Sequence, residues 1–149
     1  MKYYELLETI KDQFKADPFC NTVTEGDIFE VDLGKQTIFP LSHIMVNNAT
    51  TLTGVIQFNI TVLCMDIVDK TSDAESDSFR GNDNEPDVMN TQLAVAMRAM
   101  DVFKRGEGTR TFELVGDPTY EPFRERFENF LAGWAVTFTV QIPNTMTVC

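Results

Sequence analysis

The residues whose types and spacing could do chemistry are one histidine, three cysteines, an alternating run of carboxylates and a short glycine pair. His43 lies between Leu41, Ile44 and Val46 in a stretch that reads as a strand. A nucleophilic mechanism would give it a serine or cysteine partner, but the chain has no G-x-S-x-G and no cysteine placed for that role. It reads instead as a histidine satisfied by hydrogen bonds near a sheet edge. A single histidine also excludes metal sites built from two or three imidazoles. Cys20, Cys64 and Cys149 are odd in number and follow no metal-ligand spacing, which fits reduced thiols of a cytosolic protein. Asp73-Ala74-Glu75-Ser76-Asp77 has the alternating opening of a calcium loop. Its sixth position, however, is Ser78 where the EF-hand needs glycine, and its twelfth is Asn84 where it needs a bidentate Glu, so a solvated acidic loop is the better reading. Gly106-Glu107-Gly108 lacks the third glycine of a nucleotide-binding turn and follows a helical pattern, which makes it a helix stop. The sequons at Asn48 and Asn59 read as chance matches, and Met89, Met97 and Met100 as core packing rather than an adaptable binding face.

The elements that must position these residues follow from apolar periodicity. Tyr3, Leu6, Leu7, Ile10 and Phe14 recur at helical spacing, and Asp17-Pro18 ends that amphipathic helix. Thr22 to Thr24 leads to a turn at Glu25-Gly26-Asp27, and Ile28 to Leu33 reads as a strand that Lys35 to Phe39 could extend until Pro40 interrupts the ladder. Leu41 to Asn47 reads as another strand, with Asn47 to Thr50 as a polar bend. Gly54 to Val68 is the organising strand: Ile56, Phe58, Ile60 and Val62 alternate with Gln57, Asn59 and Thr61, and both faces turn apolar from Leu63. Trp134 to Ile142 repeats the alternation and is its natural partner. A second helix carries Met89, Leu93, Ala96, Met97, Met100 and Phe103 on one face, with Pro86 near its first turn and Lys104-Arg105 at its end. Thr111 to Val115 reads as a short strand, Gly116-Asp117-Pro118 as a turn, and Glu121 to Leu131 as an irregular or partly helical connection.

The expected fold is therefore α+β: an antiparallel or mixed sheet of long strands packed against two amphipathic helices, with a long acidic loop. At 149 residues the chain is one domain's worth, 1–149, with the loop expected to be mobile at about 69–87. A formal charge of −11 argues against a surface that grips nucleic acid, yet suits a passage through which DNA slides without sticking. The N-terminus has no signal-peptide pattern, and no segment approaches the roughly 20 apolar residues of a spanning helix, so no membrane partner is expected. No cofactor is implied.

The order of elements resembles the tail terminator and tail-completion family of tailed bacteriophages, and is similar to ring proteins of crAss-like phages. The resemblance is carried by Gly26-Asp27-Ile28-Phe29-Glu30-Val31-Asp32 leading into Ile38-Phe39-Pro40-Leu41-Ser42-His43-Ile44, by the strand from Gly54 to Asp66, and by the ending from Gly133 to Pro143. It implies a non-enzymatic structural virion protein, made in the bacterial cytoplasm, whose copies close into a hexameric or dodecameric ring. That ring would sit at the head-to-tail junction or the head-proximal end of the tail, contact adjoining rings and let DNA pass. Under that reading Asp69, Asp73, Glu75, Asp77, Phe79, Arg80, Asp83 and Glu85 are the candidates for assembly or for lining the channel. Two alternatives stand beside it: an acidic regulatory module that captures a basic partner, and a small enzyme with a site built from His43, threonine and carboxylate side chains.

Overall fold

The computed structural model describes residues 3–26, 39–67, 85–105, 112–126 and 131–143. Helix α1 (Tyr3–Lys15) buries Leu6, Ile10 and Phe14, three positions of the periodic stripe. The chain then tightens: the Asp17 amide bonds Phe14 O at 3.1 Å, and the Asp17 carboxylate accepts the Phe19 amide at 2.9 Å. Strands β1 (Thr22–Glu25), β2 (Leu41–Leu52) and β3 (Val55–Ile67) precede helix α2 (Glu85–Arg105), and β4 (Glu113–Arg126) and β5 (Leu131–Pro143) follow it. The sheet order is β1-β2-β3-β5-β4, with β1 parallel to β2 and every other pair antiparallel. This is the expected α+β fold with a mixed sheet.

The alternating residues of β3 and β5 explain why both helices lie on one side. Phe58, Ile60, Val62 and Cys64 of β3 and Val136, Phe138, Val140 and Ile142 of β5 join Leu6, Ile10 and Phe14 of α1 and Val95, Ala96, Met100 and Phe103 of α2 in one core. The partnership of β3 and β5 runs their whole length, from Val55 opposite Pro143 to Ile67 opposite Leu131. Burying that many apolar side chains at about 1.5–3 kcal/mol each is what holds the helices to the sheet. Trp134 fastens the start of α2, its indole N–H donating to Met89 O at 2.8 Å.

Several sequence expectations are corrected. Asn47 to Thr50 is not a bend: β2 runs on to Leu52, and the reversal comes at Thr53-Gly54, where Gly54 takes φ +75°. Asn, Ala and Thr there mark a solvated strand rather than a turn. Gly116-Asp117-Pro118 is a register break within β4 instead of its end, and residues 121–126 continue that strand. An end strand at an irregularity tolerates proline because no ladder bond need be lost. Met97 is 52% exposed, while Val95 and Ala99 take core positions on α2. Asp66 and Ile67 belong to β3, as the strand expected from Gly54 to Val68 requires, whereas the residues from Glu85 to Asp87 open α2, so the helix claims the end of the proposed acidic loop. The strand expected at Ile28 to Leu33, the extension from Lys35 to Ile38 and the loop from 69 to 84 lie outside the described residues.

One surface ion pair has favourable geometry. Arg98 on α2 grips Asp17 bidentately, Nε to Oδ2 at 2.7 Å and Nη2 to Oδ1 at 2.9 Å, joining α2 to the turn that follows α1. Burial pushes the Asp17 carboxyl up, but the hydrogen bonds from Arg98 and the Phe19 amide, with the Arg98 charge, outweigh it and leave it below its ordinary value. A lowered folded-state pKa stabilises the fold above the unfolded-state value and loses that contribution as pH falls through the folded one. Arg98→Met is therefore expected to cost about 1 kcal/mol near neutral pH. The difference from wild type should shrink below about pH 4 as Asp17 protonates, which urea unfolding at both pH values would measure.

Candidate interaction surface

Among the described residues, His43, Cys20 and Cys64 have structural partners. His43 is fully buried on β2. Its Nδ1 lies 2.6 Å from Thr24 Oγ1 on β1, and its Nε2 lies 2.9 Å from the Gly26 carbonyl oxygen. Both ring nitrogens thus tie β1 to β2, the satisfied state expected of it. Because Nε2 meets a carbonyl, it carries the proton, and Nδ1 accepts from the threonine hydroxyl.

Cys20 and Cys64 flank Ser42: Cys20 Sγ donates to Ser42 Oγ at 3.4 Å, and Ser42 Oγ donates to Cys64 Sγ at 3.9 Å. Both thiols are free and buried. Burial is the main cause that pushes both up, Cys64 to about 12. A thiol held that high carries almost no thiolate near neutral pH. In a Cys149→Ser variant, Cys20 and Cys64 are expected to react with a thiol reagent no faster than the protein unfolds; prompt labelling of either would contradict their burial.

Of the residues proposed for assembly or the channel, Asp69, Asp73, Glu75, Asp77, Phe79, Arg80 and Asp83 lie outside the described residues, and Glu85 is the first residue of α2. Among the described residues no cluster of three or more His, Cys, Asp or Glu is arranged to hold a metal ion. No described helix is long and apolar enough to cross a membrane.

What the fold does assemble is a broad neutral surface on the sheet face opposite the helices. Asn47 of β2 donates to Asn59 Oδ1 at 2.8 Å and Thr61 Oγ1 at 2.7 Å. Thr61 meets Thr137 hydroxyl to hydroxyl at 3.1 Å, Asn59 donates to Thr139 at 3.4 Å, and Gln57 donates to Gln141 at 3.5 Å. Gln141 in turn reaches Glu113 of β4 at 3.2 Å. These residues form a cross-strand amide and hydroxyl network over β2, β3 and β5. The surface ends where the same face becomes apolar and buried, with Phe39, Leu41, Met65, Phe123 and Leu131 packed together.

The charge distribution sharpens this picture. The chain carries 12 Lys and Arg and 23 Asp and Glu, yet none falls between Gln36 and Met65 or between Asn129 and Cys149. All of β2, all of β5 and all of β3 but Asp66 are thus free of Asp, Glu, Lys and Arg, and the other charges sit on the helices, β4, the connections and Glu25 at the end of β1. This signal was available in the sequence, but only the pairing of β2, β3 and β5 turns two separate runs into one surface. A comparison with protein-family models gives no match, and a comparison with curated proteins gives none either.

Proposed function

We propose that this chain is a structural virion protein, copies of which close into a ring at the head-to-tail junction or the head-proximal end of a phage tail. The ring joins its neighbours in the stack and leaves a channel for DNA, which passes without sequence-specific contact. The observation that carries the reading is the neutral open face in a chain of charge −11. Copies so acidic repel one another, and they can meet closely only where no carboxylate has to be desolvated.

The open face meets that requirement over β2, β3 and β5, with Glu113 of β4 at its margin. Its amides and hydroxyls already bond one another across strands, so covering them with a second subunit strands few polar groups. In a ring this face is one half of a heterologous contact whose other half lies elsewhere on the neighbour. Acidic residues directed to the bore keep DNA from adhering.

The virion assignment is tested by immunogold electron microscopy of phage particles from the source of the sequence, using antibodies against this chain. Gold at the head-to-tail junction or upper tail is expected. Unlabelled particles, together with absence of the chain from purified virions by mass spectrometry, would overturn the assignment.

A further inference from the structure

Val95, Ala96 and Met100 turn one side of α2 to the core, so Met97, Arg98 and Asp101 face away from the sheet. Two grooves flank them. One, of about 460 Å³, lies toward β4 with walls from Met97, Pro118 and Tyr120. The other, of about 290 Å³, lies toward the end of α1 with walls from Ala16, Pro18 and Val102. Arg98 and Asp101 border both. Phe19 extends the apolar part of this surface: it is 52% exposed, as is Met97, and the Arg98 guanidinium sits 5.7 Å from its ring centroid.

The charges on this surface cancel. Each described carboxylate that lines the two grooves holds a cation: Asp17 with Arg98 at 2.7 Å, Asp101 with Arg105 at 2.8 Å and Asp117 with Lys104 at 3.1 Å. In a chain of formal charge −11, such a balanced patch is a place where another acidic copy can approach. A carboxylate already neutralised by its partner costs less to cover than a bare one. The open sheet face is itself neutral at Gln57, Asn59, Thr61, Thr137 and Thr139, so the two surfaces meet without like-charge repulsion.

Position favours the same pairing. Both helices lie behind the sheet, so the outer side of α2 and the open face point in opposing directions. Around a closed ring the two contact surfaces of a subunit diverge by 180° less the rotation per copy, about 120° for six copies and about 150° for twelve. Opposed surfaces meet that demand. A helix laid on the bare face also repeats the helix-on-sheet layering that covers the other face.

We propose that the outer side of α2, from Met97 to Lys104 with Phe19 and Tyr120 beside it, receives the open sheet face of the next copy of this chain. It is the second half of the heterologous contact and takes its occupant from the ring reading above. Two open faces set together, or two α2 surfaces, would instead close as a two-fold pair.

The test is cross-linking of the full chain by a short bismaleimide in a Cys149→Ser background, where Cys20 and Cys64 are buried. Met97→Cys puts a thiol on α2 and Thr137→Cys puts one on the open face. The double variant should give a ladder of linked multimers, and each single variant only monomers. Dimers from either single variant would mean that like faces meet and would overturn the proposal. Met97→Glu, whose fold is spared by the exposure of Met97, should raise the concentration for half-assembly about tenfold or more by light scattering. Unchanged assembly of that variant would also overturn it. A ladder that climbs without reaching a closed mass upholds the contact and contradicts the ring. Closed rings without a ladder contradict this contact alone, and monomers throughout contradict both.

Discussion

The double variant Thr61→Lys with Thr139→Lys is expected to remain folded and to lose ring assembly. Both threonines are half-buried in the centre of the open face, where a lysine stem can lie along the sheet and reach water in the isolated subunit. In the assembly the same ammonium groups would be covered by a neighbour with no partner provided. An uncompensated buried charge costs several kcal/mol, and the penalty recurs at each contact around a closed ring. A loss of about 3 kcal/mol weakens each contact by more than a hundredfold, so the light-scattering mass should fall to that of a single 16.9 kDa chain. The thermal midpoint should fall by only a few degrees, from the lost Thr61 bonds to Asn47 and Thr137 and the lost Asn59 bond to Thr139. The corresponding double serine variant keeps the hydroxyls and should keep the ring. Lysine variants that assemble normally would place the contact elsewhere.

Gly133→Ala is expected to be the most damaging small substitution in the fold. Gly133 lies on β5 between Met65 of β3 and Phe123 of β4. An added Cβ would overlap the Cys64 carbonyl oxygen and come within 2.8 Å of Met65 Cα. Both are backbone atoms of the adjacent strand, so no side-chain rotation relieves the overlap, and β3 and β5 must separate locally. Overpacking usually costs 1–3 kcal/mol, and a clash with backbone belongs at or above the top of that range, about 3 kcal/mol or more. A lower urea midpoint with an unchanged slope would register the loss. A midpoint equal to wild type would mean that the strands do not approach as closely as described.

The parts of the fold legible in the sequence were those governed by burial. The stripe on α1 and the period-2 alternation of β3 and β5 name their own buried faces, because one misplaced register would turn every apolar side chain to water. The parts that were not legible are solvated. Asn47 to Thr50 carry turn-forming residue types, but in β2 the Asn47 side chain bonds across to Asn59 and Thr61, a partnership that depends on a register no local pattern reveals. Gly116-Asp117-Pro118 reads as a turn and Glu121 to Leu131 as an irregular or partly helical connection, and only the outer position of β4 makes Pro118 and Pro122 compatible with a strand. Met97 and Ala99 differ by a fraction of a helical turn, and the rotation of α2 against Phe138 and Trp134 decides which is buried.

The candidate surface was hidden for a related reason. Sequence reasoning looked for function where charge was concentrated, from Asp69 to Glu85, whereas the described surface that best suits contact between copies is conspicuous for having none. Charge-free runs from Gln36 to Met65 and from Asn129 to Cys149 are visible in one dimension. Their meaning comes from the sheet order, which sets β2, β3 and β5 side by side with both helices behind them.

Single-particle cryo-electron microscopy of the purified protein tests the central claim most directly. The account predicts a closed ring with a central bore, in which Asn59, Thr61, Thr137 and Thr139 of each subunit are covered by its neighbour. Particles that are only monomers, or rings in which that face looks onto open solvent, would contradict it.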